Sequence, residues 1–588
     1  MSRSNYRSRE PATSSARKRR SRPSRGRGSQ DFRFHGDDRN NQRFSDSKGN
    51  TSGLFTAFLI VLIWLPIPLG SNRPWAWALM EVWVYLMAAG WLIKYARGRV
   101  ALTKPFFKAR PARWLLFAWL GYGLVQMVPF PTGLMAAISR HTAALYQQAH
   151  LAPQLDNQAL VLNAVVRPLP FFPDSSAAGE RQGHVATDDI SPSSTHAGGA
   201  PQDVLNSGMA VAGSVRFTLD LSASLTAWLK SLANVLLFLL TLLLVDSRQR
   251  LKALAFVLVL SGLGQAVYGS LALAAAGGGV AHGTFVNRNH YAAYLVLCLS
   301  VGIGLLVASM GRPAGTVSWR QRLRHIGTLI LSGKAPLRIF LANMVIALVL
   351  THSRMGNASF LASLLVTGTV ALFLMKEMPR PETLLIASLI VIDIVMIGSW
   401  VGIERVKERI AGTTLAQESR DEFGLYSLRM WRDYPLFGAG AGSYASVFPR
   451  YREGEAGRGL LEHAHNDYLE FLAEYGILGA VLPAGVVLLA LWNAIITLHT
   501  RRSQFARGIG FGALMAITAM LIHATVEFNL QIPAYAATFL VILTIPWHAR
   551  YLPAGDDTYI LSDSITSSYR KKSSLFPDGE RARVRETT

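Results

Sequence analysis

Cysteine is almost missing from this sequence. Cys298 stands alone among 588 residues, so no intrachain disulfide, CxxC redox pair or cysteine-built zinc site can form. Charge is also scarce: 16% of the residues are Asp, Glu, Lys or Arg, against about a quarter in a soluble domain. That shortage argues against an ordinary cytosolic enzyme. The charge that remains leans one way, with 59 basic against 36 acidic residues, a formal +23 and a pI near 10.3. Such a balance would suit a nucleic-acid binder if the apolar residues were scattered. They make up 50% of the chain, give a mean hydropathy of +0.26, and gather in runs long enough to cross a bilayer.

The basic excess begins at the N-terminus. Residues 1–50 hold fourteen Arg and Lys, from Arg3 to Lys48, against five acids, in a Ser, Gly, Asn and Pro background without apolar periodicity. The composition predicts a disordered cytoplasmic tail. No small-residue cleavage pattern follows the first apolar run, so that run reads as an uncleaved anchor. Next to a membrane span, the tail's simplest ligand is an anionic lipid surface, and no nucleic-acid partner is expected.

Apolar stretches predict twelve spans, at 54–70, 75–93, 114–130, 223–245, 251–274, 291–310, 337–350, 356–375, 383–402, 472–498, 508–527 and 534–549. With the tail inside, the connections 94–113, 246–252, 311–338, 376–382 and 499–507 fall on the same side and carry twenty-one Lys and Arg. The short connections on the other face carry Arg73, Arg288 and Arg354. Lys and Arg are retained on the cytoplasmic side. Both termini, including a C-terminal tail at 551–588, are therefore expected inside, with 51–550 a multi-pass domain of a bacterial inner membrane. The fold class is all-α. Two long segments are expected outside: 131–222, a variable insertion, and 403–471, an ordered loop with helix-like pieces at Glu404–Ile410 and Phe423–Arg432.

Polar clusters converge on the outer face. Arg354 lies between two spans in Thr351-His352-Ser353-Arg354-Met355-Gly356, where an arginine is costly unless it meets an anion or snorkels to the interface. Arg288 sits in Asn287-Arg288-Asn289-His290, where Asn287 or Asn289 could simply cap a helix. Arg429 and Arg432 share a helix face, and Gly438, Gly440 and Gly442 after them allow a tight backbone path near a ligand. His463 and His465 flank Ala464 just before a span, with carboxylates nearby. They lack the i, i+4 spacing of a zinc helix and would need a third ligand from elsewhere, so metal-free alternatives stand: interfacial histidines, or one imidazole serving as general base. His523 and Glu527, at i, i+4, are placed to hydrogen-bond on one helix face. Glu81 and Asp393 are expected within spans, as proton carriers or as neutral structural carboxyls.

No nucleotide pool exists outside the cytoplasm, so an enzyme there needs a donor activated and delivered within the membrane. A polyprenyl-pyrophosphate conjugate meets that need, and arginines suit its phosphoryl oxygens. The order Gly283-Thr284-Phe285-x-Asn287-x-Asn289-His290, Ser353-Arg354, Arg429-x-Trp431, Pro435-x-x-Gly438-x-Gly440, His465-Asn466-x-Tyr468-Leu469 and Glu474-x-Gly476 resembles the O-antigen ligase and polymerase superfamily over about residues 223–545. The resemblance implies a GT-C-like membrane glycosyltransferase that works without metal or cofactor. Its donor is an undecaprenyl-pyrophosphate-linked glycan. Arg354 and Arg429 would then hold the pyrophosphate with Arg288, and His465 would activate an acceptor hydroxyl for inverting attack, with His463 as competitor for that role. Asn287, Asn289, Arg432, Asn466 and His523 would support the site. Ligation to lipid A core or a similar acceptor, polymerisation of repeat units and transfer to protein hydroxyls share this donor chemistry. A lipid-linked sugar transporter is the alternative of a different class; internal repeats between the halves, which would favour it, are not seen in the sequence.

Overall fold

The computed structural model describes residues 51–155, 214–309, 335–374, 415–452 and 462–553. Its elements, in chain order, are α1 (Ser52–Trp64), α2 (Pro74–Ala96), α3 (Lys104–Lys108), α4 (Arg110–Met127), β1 (Phe130–Pro131), α5 (Thr132–Ile138), α6 (Arg140–Leu155), β2 (Ser214–Val215), α7 (Leu221–Leu244), α8 (Arg248–Ala275) and α9 (Arg288–Ser309). They continue with α10 (Ala335–Leu350), α11 (Arg354–Leu374), α12 (Leu415–Asp433), α13 (Tyr444–Val447), α14 (Asp467–Thr500), α15 (Gln504–His523) and α16 (Pro533–Tyr551). Helices stand at eleven of the twelve expected stretches, and 383–402, with Asp393, lies outside the described residues. Seven of the helices, α2, α7, α8, α9, α11, α14 and α15, are long and apolar enough to cross a membrane.

The bundle is built around α9. It is apolar on every side and buried nearly throughout, as a helix without a solvent or lipid face must be. Its closest neighbour is α15, where Gly304, Gly508 and Gly512 bring the two backbones into contact with no room for a side chain between them. The peripheral helices instead turn large apolar side chains outward, among them Leu86, Trp114, Leu271, Phe373, Leu488 and Trp492. In a membrane these meet lipid tails rather than water.

Several sequence expectations shift in the structure. The first span is expected to run to residue 70, but α1 stops at Trp64, and Pro66 and Pro68 follow in a turn leading to a short 3-10 segment at Leu69–Ser71. The eleventh stretch is expected to reach residue 527, yet α15 ends at His523. The insertion at 131–222 is not shapeless at its edges: α5 and α6 open it, and β2 closes it by pairing antiparallel with β1. The piece expected at Phe423–Arg432 is the end of the longer α12; Glu404–Ile410 lies outside the described residues.

The most informative departure is in α14. Expected as an unbroken span over 472–498, it is interrupted at Gly476, whose φ is 61°. The carbonyls freed by the break are met from outside: Ala439 and Gly440 N–H donate to the oxygens of Ala473 and Glu474 at 2.9 and 3.0 Å. Tyr122 Oη and Gln126 Nε2 on α4 donate to the oxygens of Tyr475 and Glu474 at 2.7 and 2.9 Å. In return, Ile477 and Leu478 N–H donate to Pro435 and Leu436. Broken backbone at membrane depth is tolerated where such partners exist. Gly438 packs directly on the Glu474 backbone, and Gly476 on that of Leu436.

Candidate functional site

Contacts divide the bundle into two ends. One end gathers the connections 97–103, 245–250, 500–507 and 552: Arg250 donates to Thr51 and Leu244, Thr103 to Leu242, and Arg501 to Leu552. The other end collects the turn after α1, the loop before α9, the start of α11, the segment 434–444 and the residues flanking α14 and α15. Thr284 ties to Pro66 and Gln265, Ala281 N–H donates to Leu350, and Gly356 packs on Ala292. The motif residues within the described segments lie at this second end. So do the four non-glycine residues with positive φ among the described residues, Leu69, Ser71, His352 and His465. A left-handed backbone costs an L-residue roughly 1–2 kcal/mol, so strain is concentrated here.

His465 takes that conformation (φ 50°) immediately before α14. Asn466 caps the helix, its Oδ1 accepting from Leu469 N–H at 3.1 Å, while its Nδ2 donates to Thr525 O at 2.9 Å. Asp467 N–H donates to Ala524 O at 3.0 Å. The two strands of chain on either side of α14 and α15 are thereby clamped together. On the far strand stands Glu527. Its Oε2 lies 3.4 Å from His465 Nδ1 and 3.7 Å from His290 Nε2, and its Oε1 accepts from Asn289 Nδ2 at 2.5 Å. The expected helical pair of His523 with Glu527 does not form. Because α15 ends at His523, the following turn carries Glu527 toward α9, and neither ring nitrogen of the buried His523 has a hydrogen-bond partner.

Phe528 supplies a common wall. The rings of His290 and His465 meet it edge-on at 4.6 and 4.8 Å, and that of His463 stacks on it at 4.4 Å. His463 belongs to a different carboxylate, its Nδ1 lying 2.7 Å from Glu470 Oε1. Burial works against its charge, but the charge and hydrogen bond of Glu470, with Glu474 and Glu462 behind, hold the imidazole above its ordinary range near 6.5. Glu470 also accepts from Ala464 N–H at 2.8 Å.

The arginines stand at helices of the same end. Arg288 and Arg354 are exposed at the first positions of α9 and α11, where the free N–H groups and helix dipole favour an anion and disfavour a lone cation. Asn287 acts as the cap, accepting from Asn289 N–H at 2.8 Å. Arg429 lies over the Tyr426 ring at 5.5 Å, and Tyr426 and Met430 pack in one small core with Ala464, so this face of α12 abuts the histidine segment. Arg432 is exposed one turn further on. The tight path of the glycines after α12 serves close packing: Gly438 meets the Glu474 backbone, Gly440 the Thr218 side chain and Gly442 the Ala223 backbone. Glu81 is buried on α2 and faces Lys230 of α7, which also interacts with Glu474 and whose Nζ sits 3.6 Å from the Trp77 ring centroid. Among the described residues, no group of three His, Cys, Asp or Glu is arranged to hold a metal.

Two members of this cluster stand out little in the sequence: Glu527, which turns to His465 and His290 instead of His523, and His290, one residue of a longer motif. The available signal was the presence of an acid and a histidine at the outer ends of two apolar helices, where an unpaired polar group is costly. With this geometry in place, residues 339–484 match the family model described as O-antigen ligase. The match runs from within α10 to beyond the break in α14 and contains Arg354, Arg429, His463 and His465. No curated protein matches the chain.

Proposed function

We propose that this multi-pass membrane chain, which carries an O-antigen ligase domain and the motifs of the ligase and polymerase superfamily, transfers a glycan from an undecaprenyl-pyrophosphate carrier to a hydroxyl acceptor, lipid A core or a similar glycan, on the periplasmic face. The observation that carries the proposal is the meeting of His465, Glu527, Asn289 and His290 at one end of the bundle, with Arg288 and Arg354 at helix N-termini of the same end.

In this reading the pyrophosphate sits among Arg354, Arg429 and Arg288, whose guanidinium groups make charge-assisted contacts and stabilise the leaving group as the glycosidic bond breaks. Arg432 and Asn287 border that site. The acceptor hydroxyl gives its proton to His465 as its oxygen attacks the anomeric carbon from the face opposite the diphosphate, inverting the centre. His463 is the weaker candidate for base, because the Glu470 carboxylate on its Nδ1 favours its charged form. The steps need no metal. Both termini are cytoplasmic, in keeping with Arg97, Arg99, Arg248, Arg250, Arg501 and Arg502 at the opposite end.

A lipid-linked sugar carrier would also make use of a broken helix. The break in α14, however, is met by the chain's own Pro435–Gly440 backbone. The test is to incubate purified protein with a lipid-linked oligosaccharide, with and without lipid A core, and to size the products. One glycan added per acceptor is expected. A ladder without added acceptor would instead mean polymerisation, and no covalent product under any condition would overturn the enzyme reading.

A further inference from the structure

We infer that Glu527 is the positioning residue for His465, holding its Nδ1–H so that Nε2 faces the acceptor. The inference rests on the reading of His465 as the base. Exposure separates the two side chains: Glu527 is 1% exposed and His465 25%. The carboxylate therefore stands behind the ring, where it can reach the imidazole and not a bulky acceptor. The contact lies on Nδ1, at 3.4 Å and short of hydrogen-bond alignment, as catalytic contacts often are before substrate binds; it leaves Nε2, on the other side of the ring, as the open nitrogen.

The surroundings fix that arrangement from several elements. On the carboxylate, Asn289 and His290 approach from α9 and the buried His523 from the end of α15. Phe528 closes the ring edges of His465 and His290, and the Asn466–Thr525 and Asp467–Ala524 bonds lock the backbone on both sides. His463 has its own carboxylate in Glu470 and does not compete for Glu527. Proton movement then balances. The acceptor O–H gives its proton to Nε2 while its oxygen bonds to the anomeric carbon, and the glycosidic C–O electron pair leaves with the pyrophosphate. The imidazolium is stabilised by the Nδ1–H to carboxylate contact. Sharing with Asn289 and His290 spreads the carboxylate's charge, unlike the close His463–Glu470 pair.

The test compares Glu527→Gln and Glu527→Ala with wild type for kcat, donor KM and donor binding, each also in a His465→Ala background. Glutamine can keep its carbonyl on Asn289 but then offers an NH2 to Nδ1, which selects the tautomer whose Nε2 already carries a proton. Glu527→Gln should lower kcat by about 10²–10⁴-fold with donor KM and binding unchanged, and more than Glu527→Ala does. A purely structural role would reverse that order, since glutamine is the closer isostere. Neither change should add a loss in the His465→Ala background. If His465→Ala retains transfer, the base assignment fails. If His465→Ala is inactive while both Glu527 variants keep wild-type kcat, only the positioning role fails. Loss of donor binding in Glu527→Gln would also overturn it, in favour of a scaffold role.

Discussion

The two ends of the bundle are made from the same helices and solve opposite problems. At the basic end the connections are short and self-sufficient: Ser247, Thr103 and Ser503 cap the helices that follow them, and arginine side chains satisfy the last carbonyls of others, Arg250 on Leu244 and Arg501 on Leu552. Positive charge remains at the surface there. At the histidine end the polar groups turn inward. Asp467, Glu470, Glu474, His523 and Glu527 are buried, and Asp467, Glu474 and Glu527 meet Leu530, Tyr444 and His465, far away in sequence. A chain does not bury carboxylates and imidazoles together to gain stability, because desolvation offsets most of what pairing returns. Such clusters gather where proton and anion chemistry takes place.

The sharpest way to break this comparison is one substitution at each end. His465→Ala should abolish glycan transfer, a loss of at least about 10²–10⁴-fold for a removed general base, while the donor still binds. Arg429→Ala should impair both binding and transfer. Arg250→Ala, which removes an equally well-bonded side chain from the basic end, should leave transfer within about twofold, because its loss is one of local stability. Transfer rates of the purified variants check all three, and a His465→Ala enzyme with normal product would dissolve the functional distinction between the ends.

Next in size is the junction that builds the histidine end. A Cβ at Gly438 would collide with the Glu474 carbonyl, and its φ of 75° is left-handed. Gly438→Ala should therefore cost on the order of 3 kcal/mol or more and separate the 434–444 segment from the break in α14. The expected readout is a lowered unfolding midpoint with accelerated proteolysis of that segment. Unchanged stability would mean that the break tolerates its neighbours loosely.

How much of this was legible in the sequence follows the same division. Span positions and the basic connections depend on local composition, and helices stand at eleven of the expected stretches. Capping by Asn287 and the helix at Phe423–Arg432 were readable for the same reason. What escaped were effects of chain meeting chain. The interruption at Gly476 looks like an ordinary apolar run until Pro435–Gly440 is laid against it, and Glu527 looks like a helical partner of His523 until the helix ends four residues earlier. The glycines after α12 were readable as a tight backbone path, but not that Glu474, Thr218 and Ala223 are what they pack against. Periodicity cannot report which distant backbone will supply a missing hydrogen bond, so the site's residue types were visible while its internal pairing was not.

The smallest expected effect distinguishes the two neighbouring histidines of the site. His463 is held above its ordinary value by Glu470, with Glu474 and Glu462 adding to it, and by convention an elevated folded value in a base stabilises the protein while that base is charged. The contribution is fully present below the unfolded value near 6.5 and is lost as pH rises through the higher folded value. The unfolding midpoint of wild type should therefore exceed that of His463→Gln by a few degrees at about pH 6, above the usual carboxylate range, and the gap should close toward about pH 9. A His463 gap that widens with pH would mean that the ring is bound neutral, and the reason for preferring His465 as the base would be gone.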